Sequence, residues 1–244
     1  MNENISIDAF LSGKVKVYQD NSGYKSGVDA VLLASIIKAK QGQKVLDIGS
    51  GVGVASLCLA SRIPNIEVYG LEVNEYFYGL SVKNSAENSL PSKYIPKLGS
   101  ILTKNIFDFK FDIIMSNPPY YKNYQNKNNL SLKEQGNMEG VAKLADFIKF
   151  AFHNLKNHGC LYLIQRSERL KETLDLLVAK HWGNIEIHPI YSFAENPAKR
   201  FIVVAKKLGL ADNTILHYGI VIHKKDTTYT VRAEGILRNG NSFY

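Results

Sequence analysis

The stretch "SNPPYYK" at residues 116–122 follows directly on the apolar run "FDIIM" at 111–115. Neither Pro118 nor Pro119 can donate to a sheet ladder, so a buried strand must stop there. One reading is a stiff turn between a strand and a loop. The other is a rigid grip for a planar, amide-like or amino nitrogen, with the Asn117 side chain beside the prolines and Tyr120 close behind. The local spacing leaves both open.

Upstream, "DIGSGVG" at 47–53 places Asp47 ahead of Gly49, Gly51 and Gly53. Glycines at these positions let a backbone come close to a ligand and then open into a helix N-terminus. Glu72 ends the next apolar run, where an acidic side chain accepts hydrogen bonds from both ribose hydroxyls of a nucleoside. A dinucleotide fingerprint fails, because the third glycine is Gly53 and position 54 is Val54.

These residues need strands and helices to hold them. "KVKVY" at 14–18 alternates like a half-exposed strand, and Asp29 is placed to cap the helix "AVLLASIIKA". "KVLDI" (44–48), "IEVYGLEV" (66–73), the weaker "YIPKLG" and "FDIIMSN" read as strands separated by helices, one of them from about Glu75 to Glu87. A long polar loop covers 120–140, followed by the helix "VAKLADFIKFAFHNL", the strand "CLYLIQ" and a helix over 168–181. "IEIHPIYSF" and "RFIVVAKK" can pair across "AENPAK", and a further strand pair with a basic tail is expected from about 213. The alternation predicts an α/β fold: a doubly wound, mostly parallel seven-stranded sheet covered on both faces, with an antiparallel last strand.

The 244 residues are 45% hydrophobic and 21% charged, enough for one large domain with a sizeable core. No apolar run is long enough to span a membrane, and "MNENISIDAF" lacks the features of a signal peptide, so a cytoplasmic protein is expected. Cys58 and Cys160 lie in apolar segments and read as reduced core residues. The six histidines show no metal-ligand spacing, and no metal is expected. The net charge of +8 suits a polyanionic partner, although an AT-rich genome would also enrich the chain in Lys and Asn.

The G-x-G-x-G form of the glycine loop resembles the S-adenosylmethionine loop of the Rossmann-like class I methyltransferases. "NPPY" resembles the catalytic motif of amino-methyltransferases, which modify the exocyclic amine of adenine or guanine, or a glutamine amide. That likeness implies that the Asn117 side-chain oxygen and the Pro118 carbonyl accept from the two hydrogens of the target amine. Both prolines, Pro119 included, stiffen the turn, and Tyr120 stacks on a flipped base.

"GYKSGVDAVLLAS" at 23–35 resembles the Lys-x-Gly-x-Asp-x-x-Leu-Leu element of the tRNA(Val) adenine-N6-methyltransferase family. By that likeness Lys25, Gly27 and Asp29 border the methionine end of the cofactor. Arg200 before "FIVVAKK", and the closing "YTVRAEGIL", are similar to the same family, so the resemblance covers nearly the whole chain. It implies S-adenosylmethionine held by Asp47, Gly49, Gly51, Gly53, Glu72, Ser100 and Asn117 as well, and an RNA partner, tRNA above all.

Tyr121, Lys122 and Tyr124, with Arg200, are then expected to stack bases and neutralise phosphates. Residues 1–43 become a strand/helix extension packing on the cofactor site, 44–207 the methyltransferase domain, and 208–244 its C-terminal strand pair and basic tail. Two positions depart from the pattern. Ser100 stands where the wider fold often has Asp, and "LKEQ" at 132–135 only partly matches the family's His-Glu pair. The competing expectations are N2-guanine methylation of rRNA, N5-glutamine methylation of a protein, and an RNA-binding module that has lost catalysis.

Overall fold

The computed structural model of the chain describes residues 4–21, 25–120 and 142–244. The expected strands are β3 (Lys44–Ile48), β4 (Glu67–Glu72), β5 (Lys93–Leu98), β6 (Phe111–Ser116), β7 (Leu155–Arg166), β8 (Trp182–Tyr191) and β9 (Arg200–Lys207). They form one sheet in the order β8-β9-β7-β6-β3-β4-β5. β9 runs antiparallel to both its neighbours, and the pairs from β7 to β5 are parallel.

The near-continuous apolar character of the central strands follows from cover on both faces. Along β3, Val45 joins the core beneath α1 (Val28–Ile36) and α2 (Val54–Arg62), whereas Leu46 and Ile48 join the core beneath α4 (Leu144–Asn154) and α5 (Leu170–Val178). Between α2 and α4 in the chain, α3 spans Glu75–Glu87, the interval expected from the sequence.

Three elements differ from the sequence reading. β1 (Ile5–Phe10), unforeseen, pairs antiparallel with β2 (Val15–Asp20) as a separate hairpin. Asn84 of α3 ties this hairpin to the glycine loop: its amide oxygen accepts from the Tyr18 N–H at 2.8 Å, and its amide nitrogen donates to the Val52 carbonyl at 2.9 Å. The helix expected over 168–181 is shorter, with a 3₁₀ turn at Ser167–Arg169 leading into α5.

The C-terminal segment forms no strand pair. β10 (Thr214–Leu216) and β11 (Ile220–Val221) each lie parallel along β8, bringing the main sheet to nine strands among the described residues. A short helix α6 (Val231–Glu234) and a π-turn at Gly235–Asn239 follow. Ala233, Ile236 and Leu237 are buried at helical spacing, and Phe243, 1% exposed, packs into the core, so the end of the chain is no solvated basic tail. Burial pushes the His188 ring down to about 3, with His217, Lys38 and Arg232 adding to the shift, which keeps it neutral. Among the described residues no helix is long and apolar enough to cross a membrane.

Candidate active site

β3 delivers its last residues to a turn that must reverse sharply before α2. Gly49, Gly51 and Gly53 take φ values of +71°, +56° and +93°, a region that strains any side chain. The Gly49 N–H donates to the Leu71 carbonyl at 2.8 Å, which locks the turn to β4. The glycines serve different ends. A Cβ on Gly51 would meet nothing within 4 Å, whereas one on Gly53 would lie 2.6 Å from the Tyr94 ring. Gly51 leaves room for a ligand. Gly53 instead lets α2 start against Tyr94, and it does not line the cavity.

Glu72 is 8% exposed at the end of β4. One carboxylate oxygen accepts from the Gly51 N–H and the other from the Asn74 N–H, both at 2.8 Å. Burial raises its pKa, with the backbone donors opposing. Asp47 is fully buried and accepts from the Ser56 hydroxyl at 2.7 Å. Its carboxyl is pushed up to about 7 by burial, with Ser56 opposing and the nearby Glu72 charge adding to the rise.

A cavity of about 410 Å³ opens between this loop and the Asn-Pro-Pro turn at the end of β6. Asp47, Gly49, Gly51, Glu72, Ser100 and Asn117 line it, together with Pro118 and Pro119. Ser26, Phe77 and Ile101 line it too and were not singled out from the sequence. Phe77 is aimed by Asn74, whose side chain accepts from the Tyr76 and Phe77 N–H groups and caps α3. An aromatic residue on a predicted helix carries no signal of this kind.

The side-chain oxygen of Asn117 is buried and has no hydrogen-bond partner among the described residues. Leaving such an acceptor idle costs about 1–3 kcal/mol, so its position needs a reason. The frame around it is tied. The Ser116 hydroxyl donates to the Ile48 carbonyl at 2.8 Å, and the Pro119 carbonyl takes long contacts of 3.4 Å from Gln165 Nε2 and Arg169 Nη1. Gln165 and Arg169 were also missed, because nothing local marks a residue that supports a turn some 50 positions earlier in the chain.

Asp29, Tyr120 and Arg200 form one group. The Tyr120 hydroxyl donates to one Asp29 oxygen at 2.5 Å, and the other oxygen pairs with the Arg200 guanidinium. Asp29 is therefore not the cap of α1: Gly27 occupies that position, and Asp29 sits in the first turn with its carboxylate turned to Tyr120 and Arg200.

None of Asp29, Tyr120 and Arg200 lines the cavity, and Gly27 does not either. Lys25 also stays out of it, because its ammonium donates to the Ser6 hydroxyl at 2.8 Å and lies 3.4 Å from the Asp8 carboxylate. Tyr121, Lys122, Tyr124 and "LKEQ" at 132–135 lie outside the described residues.

The cavity occupies the crevice outside the carboxyl ends of β3, β4 and β6, where an open α/β sheet takes its ligand. Its volume falls within the range of small-molecule and cofactor sites. Sheet order and crevice together are those of a Rossmann-like class I methyltransferase.

The chain belongs to the methyltransferase small domain family, whose sequence profile matches residues 22–188. It is 26% identical over 238 residues to a tRNA1(Val) (adenine(37)-N6)-methyltransferase of Pedobacter heparinus, covering 95% of this chain and 97% of that one. It is 30% identical over 158 residues to a release factor glutamine methyltransferase of Flavobacterium psychrophilum, covering 61% of this chain and about half (54%) of that relative. The fold matches a predicted O-methyltransferase from Agrobacterium tumefaciens with a TM-score of 0.67 at 21% identity, over 88% of this chain and 98% of that one.

Proposed function

We propose that this methyltransferase uses S-adenosylmethionine to methylate an exocyclic amine, adenine N6 of a tRNA. The observation that carries the reading is the buried Asn117 side-chain oxygen, without a hydrogen-bond partner among the described residues, on a turn that lines the cavity beside a glycine loop and a buried acid. When bound, the cofactor supplies an electrophilic methyl group on a sulfonium. Glu72 and the glycine loop would hold its nucleoside end, since each Glu72 oxygen keeps a lone pair beyond its backbone bond. Ser100 and Ile101 would stand beside it.

An aromatic amine is a weak nucleophile because its lone pair is spread into the ring. The Asn117 oxygen and the Pro118 carbonyl, each accepting from one N–H, draw that lone pair back onto nitrogen and direct it toward the methyl group. The proton leaves to water after transfer, so no strong base is needed. Tyr120, held by Asp29, offers the stacking face for the base.

The net charge of +8 suits an RNA. The near-complete overlap with the tRNA relative supports that substrate over a protein glutamine, because the release-factor match leaves about half of that relative uncovered. The higher identity of the release-factor match keeps glutamine N5 as the second reading.

The deciding experiment offers labelled S-adenosylmethionine with total tRNA, rRNA or release factor, and identifies the product by mass spectrometry. N6-methyladenosine in the tRNA fraction is expected. Label in N2-methylguanosine or in protein overturns the substrate, and no label in any fraction overturns the reaction.

A further inference from the structure

A second cluster of chemistry-bearing side chains lies at the β8–β10 edge of the sheet and shares no residue with the cavity. Glu186 and His188 are two apart on β8, so both point to the same face. β10 brings a third group to them. Its parallel pairing with β8 continues into the His217 N–H, which donates to the Ile187 carbonyl at 2.9 Å and sets the His217 ring over the pair.

The distances converge. A Glu186 carboxylate oxygen lies 3.1 Å from His217 Nε2 and 3.5 Å from His188 Nε2, and one ligand atom from each of the three falls within 4.8 Å of the others. The Tyr244 hydroxyl lies 2.9 Å from His188 Nε2. A tetrahedral ion with bonds of about 2.0–2.1 Å needs its donors roughly 3.3–3.4 Å apart. Two of the three edges are already near that length. The third closes when the imidazole rings, now stacked nearly parallel at 4.2 Å and 15°, turn so that both ring planes meet at the ion.

We propose that Glu186, His188 and His217 bind a divalent transition metal of the zinc class and thereby fasten the β10–β11 segment to the sheet. Two imidazoles and one carboxylate are borderline donors, suited to Zn²⁺ and its neighbours and not to Mg²⁺ or Ca²⁺. A fourth position falls to the Tyr244 hydroxyl or to water. His188 is fully buried, while Glu186 and His217 are 38% and 27% exposed and leave a way in.

The cations nearby have other partners. Lys38 sits over the Tyr244 ring at 3.8 Å, and Arg232 donates to the Gly219 and Phe243 carbonyls. The histidines lie far apart in sequence, so linear spacing hides the cluster. The alternative is a hydrogen-bonded group that takes up no metal.

The test uses full-length, tag-free protein stripped with a chelator and titrated with Zn²⁺ by calorimetry, and with Co²⁺ by visible absorption. One Zn²⁺ per chain, a raised unfolding temperature and tetrahedral Co²⁺ bands are expected. His217→Asn and Glu186→Gln alter the two more exposed ligands and should each weaken Zn²⁺ by at least about tenfold. Wild-type protein that takes up no stoichiometric Zn²⁺, or variants that bind it as tightly as wild type, would overturn the site.

Discussion

The two walls of the cavity are built on opposite terms. On the glycine-loop wall the two carboxylates are already satisfied within the protein, Glu72 by the Gly51 and Asn74 amides and Asp47 by Ser56, while the buried Ser50 hydroxyl has no partner among the described residues. On the Asn-Pro-Pro wall the frame is tied by Ser116, Gln165 and Arg169, yet the buried side-chain oxygen of Asn117 has no partner among the described residues. On the proposed function, the difference separates holding from reacting. A holding wall gains by being rigid before the ligand comes. A reacting wall gains by keeping an acceptor whose bond strengthens only as charge develops on the target nitrogen.

Removing the unpartnered Asn117 acceptor should have the greatest consequence. Asn117→Ala should lower single-turnover methylation by on the order of 10²–10³-fold, as when one preorganised polar group is lost. S-adenosylmethionine affinity, measured by calorimetry, should stay near wild type. A parallel loss of cofactor binding would put Asn117 on the holding wall and dissolve the distinction.

Glu72→Ala tests the other side. On the proposed reading two ribose hydroxyls lose a charged acceptor and the Gly51 amide loses its tether, so cofactor binding should weaken by about 1–3 kcal/mol, roughly 5–150-fold. The rate at saturating cofactor should change much less. An unchanged calorimetric affinity means that the nucleoside lies elsewhere in the cavity.

Asp47 sharpens the comparison through pH. Its folded pKa of about 7 lies above its ordinary 3.8, so the folded state keeps the proton where the unfolded chain has lost it. The group's contribution to stability is therefore present at low pH and lost as pH rises through about 7. Asp47→Asn keeps an acceptor for Ser56 and removes the titration. Its denaturation midpoint should vary less over this window than that of wild type, and identical pH profiles for the two proteins would show that the buried acid contributes no such slope.

What the sequence showed and what it hid divide along similar lines. Glu75–Glu87 was readable as a helix because its start is set locally, by Asn74 capping Tyr76 and Phe77. The glycine loop was readable because positive φ is demanded at particular residues. Gly53 was grouped with the cofactor loop even so, yet it does not line the cavity, and its neighbour Tyr94 belongs to another strand.

The pairing of Asp29 with Arg200, 171 positions away, leaves no local trace, and Asp29 before an apolar run reads as a cap. Strands were expected where β10 and β11 lie, but their pairing with β8 was hidden, because β8 was already matched to β9. The support of Pro119 by Gln165 and Arg169 likewise leaves no local trace. Motifs report the atoms that face the ligand, and the residues that brace them come from wherever the sheet order brings them.

The smallest expected effect concerns that bracing. Tyr120→Phe keeps the aromatic face and removes only the hydroxyl that donates to Asp29, while Asp29 retains Arg200. If the tyrosine only stacks, the variant is silent. If the hydroxyl fixes where the ring stands, the base is presented less well, and the single-turnover rate on saturating RNA should fall by about fivefold, the equivalent of about 1 kcal/mol. Tyr120→Ala loses stacking of roughly 1–3 kcal/mol as well and should fall further. The order wild type, Tyr120→Phe, Tyr120→Ala is thus expected in one assay. A wild-type rate for Tyr120→Phe would mean that the turn alone positions the ring. Equal loss in both variants would mean that the bond to Asp29, and not the stacking face, is what this residue brings to the reacting wall.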